Sequence, residues 1–251
     1  MRLVLVHGFT QTHRSWDPLL PALTEHEVVA LDAPGHGDAS DVHLSLPDGG
    51  AWLAEAGGQG VYVGYSMGGR FCLHAALAAP ARVRGLVLVS ATGGIDDERE
   101  RAARRTSDDA LADRIELIGV PAFIDEWLAQ PLFAALEPAR RGIDDRLRNT
   151  ASGLASSLRL AGTGTQAPLW DRLATVHVPT LVVAGADDKK FVALGERLAA
   201  TVPDAELAIV DGAGHTVHLE QPERFLDVVL PWLRRRGDHD ESAMPSASSP
   251  P

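Results

Sequence analysis

Six short apolar runs punctuate the chain, at residues 3–6, 28–31, 61–63, 86–89, 181–184 and 207–210. They are rich in Val and Leu, continuous rather than alternating, and bounded by Gly, Pro or Asp, as strands buried on both faces are. Helix-compatible stretches lie between several of them, such as 67–79, ended by Pro80, and 191–200. Strands alternating with helices predict a mostly parallel sheet with helices on both faces. No internal repeat is present.

The alternation lapses between about residues 93 and 166, where the chain reads as helical, rich in Arg and Asp, and without a convincing strand. Because strand patterning stops near Ser90 and resumes at Thr180, this stretch reads as an insertion after a central strand. Such an insertion sits above the strand ends, where open α/β sheets bind ligands. The predicted organisation is a core of residues 1–93 and 167–236 with a helical lid over 94–166. Residues 237–251, rich in Ser, Pro and Asp, are predicted to be disordered and to play no part in chemistry.

A length of 251 residues and 45% hydrophobic content suit one large α/β domain. The net charge of -11 argues against a nucleic-acid partner, which would need a basic footprint. Lys189 and Lys190 are the only lysines, so nearly all positive charge is arginine. The single cysteine, Cys72, excludes an internal disulfide and fits a reducing compartment. Strand patterning begins at Arg2 with no leader-like run ahead of it, and no apolar run approaches the roughly 20 residues that span a bilayer. A soluble, cytoplasmic protein without a membrane partner is expected. Composition carries no signal of oligomeric state.

The strongest chemical signal is Gly64-Tyr65-Ser66-Met67-Gly68-Gly69. It follows a predicted strand and opens a predicted helix, the setting of a nucleophile elbow, in which a sharp turn lifts the serine oxygen above the sheet. A serine hydroxyl needs a histidine to take its proton. His215 follows the last predicted strand in Asp211-Gly212-Ala213-Gly214-His215. A carboxylate should orient that imidazole from the loop after the preceding strand, where Asp187 and Asp188 are adjacent. The Gly-x-x-Asp spacing from Gly185 favours Asp188, with Asp187 the alternative, and the order Ser, Asp, His fits this fold. Two backbone donors should face the developing oxyanion: Met67, at the helix start, and Phe9, in the His7-Gly8-Phe9 loop after the first strand. His7 is expected to brace that loop. Asp32-Ala33-Pro34-Gly35-His36-Gly37 is read as a shaped structural loop. His215 and His218 could suggest a metal pair, but no third ligand is evident and no metal site is predicted. Cys72, Trp127 and Trp170 read by default as packing residues.

These motifs resemble the α/β-hydrolase superfamily over almost the whole chain. Within it the chain is most similar to the 2-succinyl-6-hydroxy-2,4-cyclohexadiene-1-carboxylate synthases of menaquinone biosynthesis. That narrower likeness rests on Val6-His7-Gly8-Phe9, the Asp32 to Gly37 loop, and Gly64 to Gly69 followed by Arg70. It extends through the arginine-bearing stretch at residues 101–108, Trp127-Leu128-Ala129-Gln130-Pro131-Leu132-Phe133, Arg148-Asn149, the residues of 153–159 and 162–166, and Asp188-Lys189-Lys190-Phe191.

The resemblance implies a lyase that removes pyruvate from a small, multiply anionic substrate by triad-assisted proton abstraction, with no metal or organic cofactor. Tyr65, Arg70, Arg104, Trp127 and Arg148 would then line the substrate pocket, with Arg105 able to stand in for Arg104. Arginine suits that task because its planar fork grips a carboxylate through two hydrogen bonds. Two other readings use the same residues. A serine carboxylesterase or C–C-bond hydrolase would form an acyl-enzyme or activate water. A ligand receptor would keep the fold without turnover, although all three triad positions are filled.

Overall fold

Among the described residues, six strands, all parallel, build one sheet in the order β2-β1-β3-β4-β5-β6. They are β1 (Arg2–Val6), β2 (Glu27–Leu31), β3 (Gly60–Tyr65), β4 (Val83–Val89), β5 (Thr180–Gly185) and β6 (Ala205–Val210). The computed structural model describes residues 1–242. Every predicted strand is present, each extended by one to three residues at an end.

Side chains alternate between the two faces of the sheet, and both faces are covered. Val4, Val6, Tyr62, Leu86, Leu88 and Val182 point into one core. It is closed by helices α1 (Leu46–Gly57) and α2 (Met67–Ala78), with Leu53, Phe71 and Leu73 buried from them. Leu3, Leu5, Val63, Val87, Val89 and Val183 point the other way, under Trp16 and Leu19 of a 3-10 segment (His13–Ala22) and under Phe225, Val229 and Trp232. Cys72 is a buried free thiol in the first core.

The chain between β4 and β5 is helical. It holds α3 (Glu98–Leu128), α4 (Ile143–Arg146) and α5 (Ala151–Ala161). Asp97 caps α3 by accepting the Arg99 and Glu100 N–H groups at 2.9 Å. The helix breaks at Gly119, whose φ of 76° is available to glycine at little cost, just before Pro121. Ala112, Ile115, Phe123 and Ile124 of α3 meet Leu154 and Leu158 of α5 in a third hydrophobic cluster, separate from the two sheet cores. The short helix α6 (Trp170–Leu173) belongs instead to the first sheet core, which also receives Leu198 of α7 (Lys189–Thr201).

The last elements among the described residues are α8 (Val217–Glu220) and α9 (Pro222–Ser242). Helix α9 thus reaches into the segment predicted to be disordered, because a helix anchored on the sheet by Phe225 and Trp232 propagates without a new nucleation cost. The remainder of that predicted segment, residues 243–251, lies outside the described residues. Among the described residues, no helix is long and apolar enough to cross a membrane.

Strand order decides where the chemistry lies. From β1 the chain moves outward to β2, then returns to β3 on the other side of β1. The loops leaving β1 and β3 therefore diverge and open a crevice at the carboxyl ends of the strands. His7-Gly8-Phe9 leaves one side of it and Ser66 the other.

Candidate active site

Ser66 sits between β3 and α2 with φ 51° and ψ -108°. A positive φ at a non-glycine residue carries strain of about 1–3 kcal/mol, held here by its surroundings. Its N–H donates to the Val89 carbonyl at 2.8 Å. Flanking glycines are a steric requirement: a Cβ at Gly68 would lie 2.1 Å from the Val6 carbonyl oxygen, and one at Gly64 would lie 2.5 Å from that of Gly68.

His215, on the loop after β6, places Nε2 3.1 Å from Ser66 Oγ. Its Nδ1 lies 2.8 Å from Asp188 Oδ2. An ionised carboxylate can only accept, so Nδ1 carries the proton and Nε2 is left as the acceptor for the serine hydroxyl. Burial alone would push the Asp188 carboxyl up. The hydrogen bond and charge of His215, with the Phe191 N–H at 3.2 Å, outweigh it and hold Asp188 below its ordinary value. Asp187, the alternative, is exposed and spends its N–H on the Ala213 carbonyl.

The histidine loop is held by a residue that the motif reading missed. The Glu220 carboxylate accepts the N–H groups of Gly214 at 2.5 Å and Thr216 at 2.8 Å, one on each side of His215. Ser90 donates its hydroxyl to the His215 carbonyl at 2.8 Å. The only sequence signal was an acid five residues after the histidine, which carries no motif of its own.

The β1 loop is equally constrained. His7 accepts the Ala33 N–H through Nε2 at 3.0 Å and so donates through Nδ1 to the Gly8 carbonyl at 2.8 Å. Gly8 N–H meets Gln11 Oε1 at 3.0 Å, and Thr10 N–H meets His36 Nε2 at 3.3 Å. These bonds fix the backbone around Phe9, which lines the same cavity as Met67, the first residue of α2. The partial positive charge at a helix start adds to the pull on an anion beside Met67. The Asp32 loop is structural: its carboxylate accepts the His13 and Asp38 N–H groups at 2.6 and 2.8 Å. His218 takes no place beside the triad; it is buried between the rings of Trp16 and Tyr65.

Above Ser66 lies a cavity of about 590 Å³, roofed by the segment between β4 and β5. Tyr65, Arg70, Arg104 and Trp127 line it. Tyr65 is buried, with its hydroxyl 3.1 Å from Thr216 Oγ1, and burial drives its ionisation out of the physiological range. Arg70 donates to the Ala161 carbonyl at 2.7 Å; burial lowers it to about 10, so it keeps its charge at neutral pH. Arg104 bonds Asp108 at 2.7 Å, whereas Arg105 is exposed and outside the cavity. The Trp127 indole Nε1 is buried and has no hydrogen-bond partner among the described residues. Asp96, Asp97 and Glu100 also reach the lining, with Arg197 paired to Asp96.

Arg148 does not reach the cavity. Its guanidinium lies 3.8 Å from Asp38 with both side chains well exposed. The guanidinium in the cavity wall at this end belongs to Arg146, only 2% exposed, which bonds Thr10 Oγ1 and, at 2.8 Å, the Arg141 carbonyl. Two residues apart at the end of α4, the side chains project on different sides of the turn. Asn149 fixes that turn, donating to the Thr10 carbonyl at 2.8 Å and accepting the Gly37 N–H at 3.0 Å.

Residues 3–228 match the alpha/beta hydrolase family. The chain is 33% identical over 232 residues to the 2-succinyl-6-hydroxy-2,4-cyclohexadiene-1-carboxylate synthase of Serratia proteamaculans (strain 568), covering 89% of each chain. A Bacillus subtilis (strain 168) protein provisionally given that same name is 37% identical over 245 residues, covering 92% of this chain and 89% of its own. Among solved structures, MenH from S. aureus is similar with a TM-score of 0.88 and 30% identity over 94% of each chain.

Proposed function

The chain belongs to the alpha/beta hydrolase family and, within it, to the 2-succinyl-6-hydroxy-2,4-cyclohexadiene-1-carboxylate synthases, and on that footing we propose that it eliminates pyruvate from 2-succinyl-5-enolpyruvyl-6-hydroxy-3-cyclohexene-1-carboxylate in menaquinone biosynthesis. The observation that carries this reading is a Ser–His–Asp relay opening into a cavity with guanidinium groups in its walls. A simple ester needs the relay alone; a substrate bearing several carboxylates needs the arginines as well, above all on a protein of net charge -11.

The ring proton next to the succinyl carbonyl is acidified by that carbonyl. Ser66, its own proton drawn to His215, removes it. Asp188 stabilises the imidazolium that forms and holds the ring in register. The electron pair is shared with the carbonyl oxygen, which faces the Phe9 and Met67 N–H groups. The pair then forms the first ring double bond, the existing one moves along, and the C–O bond to the enolpyruvyl group breaks. The departing pyruvate enolate takes a proton and leaves as pyruvate. Atoms balance without water and without an acyl-enzyme. Arg70, Arg104 and Arg146 are assigned to the carboxylates, and Tyr65 and Trp127 to the ring and its carbonyl edge. The helical segment 94–166 serves as the lid that keeps water from the carbanion.

The test is pyruvate release from this substrate, with a p-nitrophenyl ester run in parallel. Rapid pyruvate release with feeble ester cleavage is expected. Brisk ester cleavage without pyruvate would make the protein an esterase on the same triad.

A further inference from the structure

Behind the catalytic cavity lies a second one, of about 410 Å³, between the 3-10 segment at His13–Ala22, the turn leading into α4, and the start of α9. Arg146 lines both, so one arginine side chain forms part of the partition between them. We propose that this second cavity is a binding site for a small carboxylic acid with an apolar body, and that its occupant competes for Arg146.

The lining is rich in positive charge, with Arg14, Arg140, Arg141 and Arg146 against only Asp145 and Glu223. Gln11 is 2% exposed; its Oε1 already accepts the Gly8 N–H, which fixes the amide orientation and leaves Nε2 as a buried donor without a partner. Ser15 Oγ and both ring nitrogens of His218 are likewise buried and unpartnered. Of the acids there, Asp145 is engaged by the N–H and hydroxyl of Thr12, and Glu223 is exposed. Burial pushes His218 down to about 3, so its ring is neutral and adds no charge to the lining. An anionic head group answers this excess of guanidinium charge. Leu19, Leu219 and Leu226 supply the surface for an apolar body.

The coupling follows from Arg146. Its Nε and one terminal nitrogen are committed to the Arg141 carbonyl and Thr10. A carboxylate behind the partition would draw on the donors that otherwise face substrate, raising KM more than it lowers kcat. This kinetic effect rests on the anionic-substrate reading above; binding itself does not.

The experiment is calorimetric titration of the full chain with benzoate and with benzamide, its neutral isostere. Benzoate should bind saturably and benzamide at least about tenfold more weakly, the size of one lost charge-assisted contact. Leu226→Trp, which fills the cavity, and Arg14→Glu, on its exposed rim, should each weaken benzoate at least about fivefold, while Arg104→Ala in the catalytic cavity should change it less than about twofold. Absence of saturable binding, or loss in Arg104→Ala with retention in Leu226→Trp and Arg14→Glu, overturns the proposal. If the chain released no pyruvate, the functional reading would fail while the titration still decided this one. With turnover in hand, benzoate should raise KM in the native chain and not in Leu226→Trp.

Discussion

Arg146 and Arg148 stand two residues apart at one end of α4, one turned into the protein and the other out to solvent. Arg146 is buried, bonded to Thr10 and the Arg141 carbonyl, and forms cavity wall. Arg148 points outward to an exposed Asp38 at 3.8 Å. Burial lowers the Arg146 guanidinium to about 10, which still leaves it charged at neutral pH. A buried cation with unfilled donors is a strong attractor for a carboxylate, whereas an exposed, solvent-screened pair contributes little.

Replacing the two arginines should therefore give opposite results. Arg146→Ala should raise KM for the anionic substrate by about 10- to 100-fold, the size of one charge-assisted contact, with a smaller change in kcat. Arg148→Ala should leave both constants within about twofold, as expected of an exposed ion pair. Steady-state kinetics on the two variants decide it; a larger effect from Arg148→Ala would reverse the assignment.

The two aspartates after β5 make a second matched pair. Asp188→Asn keeps the shape but offers Nδ1 no carboxylate, so the imidazole loses both its tautomer and its counter-charge. Turnover should fall by about 10³- to 10⁴-fold. Asp187→Asn alters an exposed side chain and should cost less than about twofold. Measured kcat values for the pair test this, and a greater loss in Asp187→Asn would move the acid to its neighbour.

The sheet and the three residues of the relay were legible because each has a local signature. Buried parallel strands read as continuous apolar runs, and the elbow, acid and histidine each follow one of them in a fixed order. The cavity wall was not legible to the same degree. Which of Arg146 and Arg148 turns inward depends on Asn149 stapling the turn to Thr10 and Gly37, contacts more than a hundred residues apart in sequence. Glu220 was hidden for a similar reason: its role lies in two backbone N–H groups, and a backbone acceptor leaves no motif. The helical reach of α9 to Ser242 reflects anchoring on the sheet rather than the polar composition of its end.

Ser66 should trade stability for chemistry. Its φ of 51° is unfavourable for any residue with a Cβ, so Ser66→Gly should relieve strain and raise stability by about 1 kcal/mol or more, while Ser66→Ala keeps the strain and stays near neutral. Both should reduce turnover by about 10³-fold or more, since the relay has lost its oxygen. Urea midpoints of the two variants check the first statement; a Ser66→Gly chain no more stable than Ser66→Ala would mean that the turn is unstrained.

Buried histidines set how the protein meets acid, and burial lowers His7 among them. Burial lowers His36 and His218 to about 3 and His74 to about 4, against an ordinary value of 6.5. Below 6.5 the unfolded chain takes up protons that the folded chain refuses. Their contribution is therefore complete above about 6.5 and is lost as pH falls toward their folded values. Each should remove about 1.4 kcal/mol of unfolding free energy per pH unit once the unfolded histidine is mostly protonated. Carboxylates such as Asp188, held below its ordinary value, add their own loss only at lower pH. Urea midpoints at pH 7.5, 6.5 and 5.5 should thus be flat at first and then fall steeply. His74→Leu, which removes a buried ring nitrogen that has no partner, should make that fall shallower by one histidine's share. An unchanged slope in His74→Leu would show that His74 reaches a proton in the folded state.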